Sequence, residues 1–154
     1  MSDLISRNMS ILSKERIQLN AIATDRTDAI RKAGELLVNS GCVLPEYIDG
    51  MLLRETTMST YLGSGVAIPH GVYENKEHIL QTGISALQLP QGVEWDPGGE
   101  MVYLVIGIAA SSDEHVGVLA SLAEAVEDEA ILKELMSASE PETILKHLSG
   151  TPAS

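Results

Sequence analysis

The most apolar run in the chain, Met101-Val102-Tyr103-Leu104-Val105-Ile106-Gly107-Ile108-Ala109-Ala110, constrains the fold more than any other stretch. It carries no charge and no polar alternation, so it reads as a strand buried on both faces, which needs cover on both sides. Directly after it, Ser111-Ser112-Asp113-Glu114 supplies a cap and two acidic first-turn residues for a helix. The apolar stripe of that helix is Val116, Leu119, Ala120, Ala123 and Val126.

The remaining elements provide the cover. Ile11 to Leu19 suits a short edge strand. Thr24 reads as the N-cap of a helix with Ala29, Ile30, Ala33, Leu36 and Leu37 inward and Gly41 as its C′ residue. Pro45 occupies the first turn of a second helix that carries Ile48, Met51, Leu52 and, near its end, Arg54. Tyr73 to His78 is charged and reads as a solvated loop or one helical turn. Thr82 to Leu89 reads as a strand ended by Pro90, and Gln91 to Gly99 as a loop holding Trp95. Asp128 to Met136 and a helix opened by Ser139-Glu140-Pro141-Glu142 complete the set. Two helices, then strands, then three helices make an α/β or α+β sandwich. Residues 1–10 and the tail from Gly150 read as loose ends of a single domain of 154 residues, with no internal repeat or linker.

Three glycines, Gly63, Gly65 and Gly71, bracket the short apolar run Val66-Ala67-Ile68, which stops at Pro69-His70. A proline cannot donate to a ladder, so the strand ends there or lies at an edge, and His70 is presented where it gives way to a turn. His115 lies in the first turn of the helix that follows the apolar strand. Most histidines pack or solvate, but both of these follow an apolar strand, and strand ends of open α/β sheets are where sites collect. The helix N-terminus at His115 favours an anion, and Arg54 offers a forked cation. Two imidazoles, an arginine and a helix N-terminus describe a phosphate site better than a metal site.

Other chemistries fit less well. Zinc binding wants a His-Glu-x-x-His pattern or paired cysteines, and the chain has one cysteine, Cys42. Gly63-Ser64-Gly65 has neither the spacing of a nucleophile elbow nor the Lys-Ser/Thr of a Walker loop. His78 reads as solvated, and His147 as a cation near a helix C-terminus. A formal net charge of −12 argues against nucleic acid and anionic membranes and suits docking to a basic patch on another protein. The lone cysteine and the lack of any membrane-spanning apolar run fit a soluble protein of the reducing cytoplasm.

Leu52-Leu53-Arg54-Glu55, Ser59-Thr60-Tyr61-Leu62-Gly63, Ala67-Ile68-Pro69-His70-Gly71 and Glu114-His115, in that order and spacing, resemble the enzyme IIA component of the bacterial sugar phosphotransferase system (PTS). The resemblance is to the mannitol/fructose type, nearest the mannitol branch, and extends from about Ile11 to Leu148. It implies a mixed, mostly parallel sheet flanked by helices on both sides, and a phosphotransferase relay with neither cofactor nor metal. His70 would accept a phosphoryl group from the phosphocarrier protein HPr and pass it to a cysteine of a IIB domain coupled to a membrane IIC permease. Arg54 and His115 fall on the positions that steady the phosphoryl group. Ser64 stands where mannitol-type members often carry a glutamate. The rim of His70 would be a shallow apolar docking surface, with Leu62, Val66 and Ile68 as local candidates. A regulatory phospho-switch of the same fold and a simple anion-binding domain are the alternatives.

Overall fold

The computed structural model describes residues 11–96, 99–110 and 112–148, with the side chains at 73–75 and 112–116 outside that description. The expected loose ends at 1–10 and from Gly150 also fall outside it. Among the described residues, five α-helices flank one five-stranded sheet. In chain order the elements are β1 (Ile17–Gln18), α1 (Arg26–Asn39), α2 (Glu46–Thr57), β2 (Tyr61–Gly63), β3 (Val66–Ala67), β4 (Gly83–Glu94), β5 (Met101–Ala109), α3 (Ser112–Glu127), α4 (Glu129–Ser137) and α5 (Pro141–Leu148). The strand order is β1-β4-β5-β3-β2, which puts the two-residue β1 at an edge.

The sheet is mixed, as expected, but not mostly parallel. β1 with β4 and β3 with β5 run parallel, whereas β4 with β5 and β2 with β3 run antiparallel. The reason is connection length, since strands joined by a short loop can only fold back on each other. Ser64 (φ 56°) and Gly65 (φ 82°) form the two-residue turn between β2 and β3, the left-handed pair that such hairpins favour. Ser64 is therefore an exposed turn residue.

Pro90 does not end β4, contrary to expectation. The strand continues to Glu94, and its pairing with β5 shifts register between Gln88 and Val93. Pro90 and Gln91 are exposed in that irregular stretch, and Gly92 (φ 75°) completes it. A bulge needs no ladder bond from the proline nitrogen. The first helix is capped by Asp25 rather than Thr24: the Asp25 carboxylate accepts the Asp28 N–H, while the Asp28 carboxylate accepts the Thr24 N–H. Residues 73–78 form a 3₁₀ turn.

β5 is central and its second half is buried on both faces. On one face Val105 and Ala109 pack with Ile30 and Leu37 of α1 and Met51 of α2. On the other, Leu104, Ile106 and Ile108 pack with Leu122 of α3, Leu135 of α4 and Ile144 of α5. Among the described residues, no helix is long and apolar enough to cross a membrane.

Candidate functional site

β3 is tied to its neighbours right up to the histidine. The Ile68 N–H donates to the Thr60 carbonyl, and the Pro69 carbonyl accepts the Ile108 N–H at 2.9 Å. His70 then forms an isolated parallel bridge with Ile108, near the C-terminal end of β5. The ring is half-buried, and its Nδ1 lies 3.0 Å from the Gly71 carbonyl oxygen. A carbonyl can only accept, so Nδ1 carries the hydrogen, and in the neutral ring Nε2 carries the lone pair.

Gly71 is itself held. Its N–H donates to the Tyr47 hydroxyl at 2.9 Å, and that hydroxyl donates to the Ile108 carbonyl at 2.7 Å. Tyr47 sits in the first turn of α2 and is only 3% exposed. Burial pushes its hydroxyl above the ordinary value of 10.0, against the pull of the Gly71 amide, so it keeps its proton. Sequence reasoning did not single out Tyr47. A signal was available: it lies at i−4 from Met51 and i−7 from Arg54, on a core-facing stripe, and a buried tyrosine hydroxyl wants a partner.

Arg54 is half-buried on the same face of α2 as Tyr47, seven residues on, which is about 10 Å along the helix axis. The bond described for its guanidinium runs from Nη1 to the Met58 carbonyl, at 2.6 Å, at the C-terminal cap of its own helix. Its neighbour Glu55 is 4% exposed and accepts three hydrogen bonds. They come from the Thr60 N–H (2.7 Å), the Thr60 hydroxyl (2.6 Å) and the Trp95 indole N–H (2.8 Å). This carboxylate anchors the start of β2 and, through the Thr60 carbonyl, the residue two before His70.

His115 lies in the first turn of α3, which begins four residues beyond Ile108; its side chain lies outside the described residues. Ser111, which opens the stretch expected to supply the cap, lies outside them too. The structure thus joins His70 to α2 and β5 through named contacts and places the backbone of His115 just past the end of β5. Of the other histidines, His78 is half-buried at the end of the 3₁₀ turn, and His147 pairs with Glu134 at 2.6 Å. Cys42 is buried. No group of three or more metal-ligating side chains gathers among the described residues.

Two of the three local candidates for an apolar rim are excluded. Val66 and Ile68 are buried because they pack between the sheet and the α3–α5 layer, and only Leu62 is half-exposed. Leu53 (60%) and Met58 (65%), at the C-terminal end of α2, are instead among the most exposed apolar side chains, with Ile22 and Leu80 exposed elsewhere.

The family model described as "Phosphoenolpyruvate-dependent sugar phosphotransferase system, EIIA 2" matches residues 10–150. The chain is 46% identical over 118 residues to a "PTS system mannitol-specific EIICBA component" of Vibrio cholerae, covering 76% of this chain and 18% of that one. It is 45% identical over 125 residues to a "Multiphosphoryl transfer protein" of Xanthomonas campestris, covering 81% and 15%. It therefore spans a small part of the length of these curated relatives. Among solved structures, a complex of enzyme IIAMTL and phosphorylated enzyme IIBMTL from Escherichia coli superposes with a TM-score of 0.83 at 40% identity, covering 90% of this chain and 96% of that one. A crystal structure of IIA mannitol from Escherichia coli gives 0.82 at 41% identity, covering 88% and 97%.

Proposed function

Because this chain belongs to the phosphoenolpyruvate-dependent sugar phosphotransferase system EIIA 2 family, we propose that it relays a phosphoryl group on His70 between two proteins in mannitol-type (hexitol) uptake. The observation that carries the reading is the pinned ring, with Nδ1–H directed at the Gly71 carbonyl. Nε2 attacks the phosphorus of phospho-HPr in line, the donor P–N bond breaks, and a new P–N bond forms to His70. Attack leaves positive charge on the imidazole and makes Nδ1–H a stronger donor. The bond to Gly71 then tightens in the transition state, which is the condition for an interaction to accelerate a step. In the second half-reaction a cysteine thiolate of a IIB domain displaces Nε2, and His70 returns to the neutral Nδ1–H ring.

Positioning and charge stabilisation carry most of such a transfer. Arg54 and His115 supply the charge, and the start of α3 adds the positive end of its helix dipole. Arg54 would exchange its bond to Met58 for the incoming phosphoryl oxygens. The apolar side chains Leu53 and Met58 border Arg54 and form a docking rim that α2, rather than β3, provides.

The test is phosphorylation by phosphoenolpyruvate with purified enzyme I and HPr, read by intact mass. Wild type gains one acid-labile phosphoryl group and His70→Ala gains none; retained phosphorylation in the variant would move the acceptor elsewhere. Arg54→Ala and His115→Ala slow transfer by about 10²–10³-fold, the usual cost of a lost charge-stabilising donor. Offering mannitol-type and fructose-type IIB domains as acceptors separates the two sugar branches. A chain that accepts the phosphoryl group but passes it to neither would be a regulatory phospho-switch.

A further inference from the structure

Resting on the reading of His70 as the acceptor, we propose that Tyr47 is a positioning residue that selects the His70 tautomer by fixing Gly71. His70 lies between two anchors on β5, and they differ in kind. Before it, the Pro69 carbonyl bonds directly to the Ile108 N–H. After it, the Gly71 N–H reaches the Ile108 carbonyl only through the Tyr47 hydroxyl. One residue of β5 therefore clamps both sides of the histidine, and the tyrosine bridges the second gap.

That bridge needs a group that accepts and donates at one atom, which a hydroxyl does. Burial raises the hydroxyl's affinity for its proton, so it stays a donor to Ile108 across the physiological range. Gly71 matters because it lacks a Cβ and its two dihedrals are otherwise permissive. Its N–H is fixed by Tyr47, and its own carbonyl, those two dihedrals away, receives the Nδ1 proton of His70. Loosening the N–H lets the Gly71 carbonyl swing from the ring. The imidazole then loses the contact that keeps hydrogen on Nδ1 and the lone pair on Nε2. Tyr47 acts through the Gly71 backbone, whose N–H its hydroxyl accepts.

The experiment compares wild type, Tyr47→Phe and Ser85→Ala. Ser85→Ala removes another buried hydroxyl bond from the same face of the sheet, that to the Ala33 carbonyl at 2.8 Å, and serves as the control for general loosening. The ¹⁵N shifts of the His70 ring report the tautomer without any transfer taking place. In Tyr47→Phe the Nδ1–H fraction falls, and the transfer rate from phospho-HPr drops about 10- to 100-fold, the scale of a small misplacement of a reacting group. Affinity for HPr is unchanged, and Ser85→Ala leaves tautomer and rate as in wild type. A wild-type ring spectrum and rate in Tyr47→Phe, or equal shifts in both variants, would overturn the proposal. Should Tyr47→Phe not fold, 3-fluorotyrosine at position 47 keeps the shape and weakens the hydroxyl as an acceptor. It must then move the ring nitrogens in the same direction as predicted for Tyr47→Phe, and an unmoved ring would overturn the proposal. If wild type takes up no phosphoryl group at all, the relay reading fails while the tautomer measurement still decides the role of Tyr47.

Discussion

The two faces of the sheet are held by different forces. Against α3, α4 and α5 the contact is aliphatic, built from Leu104, Ile106, Ile108, Leu122, Leu135 and Ile144. Its buried amide, Gln88, closes the turn between α4 and α5 by donating to the Leu135 and Ala138 carbonyls. Against α1 and α2 the core is also apolar, but directed polar contacts cross it. Ser85 bonds to Ala33, Tyr47 to Ile108 and Gly71, and Glu55 to Thr60 and Trp95. Hydrophobic burial has no direction, so an aliphatic face accepts any side chains of the right volume. A hydrogen bond fixes angle and partner and is costly to leave unmade. Apart from Gln88, these side-chain contacts stand on the side whose helix, α2, carries Tyr47, Glu55 and Arg54 towards the His70 segment. Precision is concentrated where the chemistry is proposed.

This contrast can be broken by substitution. Leu135 is fully buried, and Leu135→Ala is expected to cost about 2–5 kcal/mol, while Leu135→Met costs under about 1.5 kcal/mol. Denaturant titration reads both, and the folded fraction of either variant should keep the wild-type transfer rate. A transfer defect in folded Leu135→Met would mean that the aliphatic face is not a neutral plate. On the other face volume is the wrong criterion. Glu55→Ala strands the Trp95 and Thr60 N–H groups and is expected to cost about 1–3 kcal/mol. Glu55→Gln restores most of it, since the amide oxygen can accept from both and the Thr60 hydroxyl can rotate to accept from the amide. Equal losses in Ala and Gln would remove the directional argument.

The smallest effect concerns acid. Asp28 is held ionised below its ordinary 3.8 by the Thr24 N–H, and Glu134 and Glu142 below 4.5 by His147 and Lys14. The unfolded chain takes up protons at these sites before the folded one does. The stability they add is therefore complete above the unfolded values and declines as the pH falls through the depressed folded ones. Glu134 and Glu142 are exposed and Asp28 is only half-buried, so the effect is small. Melting temperature should fall gently between about pH 5 and pH 3, and Glu134→Gln with Glu142→Gln should flatten that slope. An unaltered slope in the double variant would place the acid sensitivity elsewhere.

Much of the molecule was legible from residue patterns. The central strand, the five helices and the presentation of His70 after Pro69 follow from apolar runs, caps and turn residues, all of which act within a few positions. Some misreadings were local, such as Asp25 rather than Thr24 as the cap, but others turned on partners outside the segment being read. Pro90 did not end its strand because β5 tolerates a bulge opposite it. Val66 and Ile68 went inward because the α3–α5 layer, contributed from the far end of the chain, covers that face. Tyr47 was passed over because its partners lie 24 and 61 residues away.

The layers, the family and the place of His70 at a strand end were legible from periodicity, backbone-restricted residues and short motifs, which are properties of neighbours along the chain. Which apolar side chains remain exposed and what orients the His70 ring were set by tertiary contacts instead. Those depend on single hydrogen bonds and packing contacts between segments far apart in sequence, and nothing local encodes the angle at which they meet.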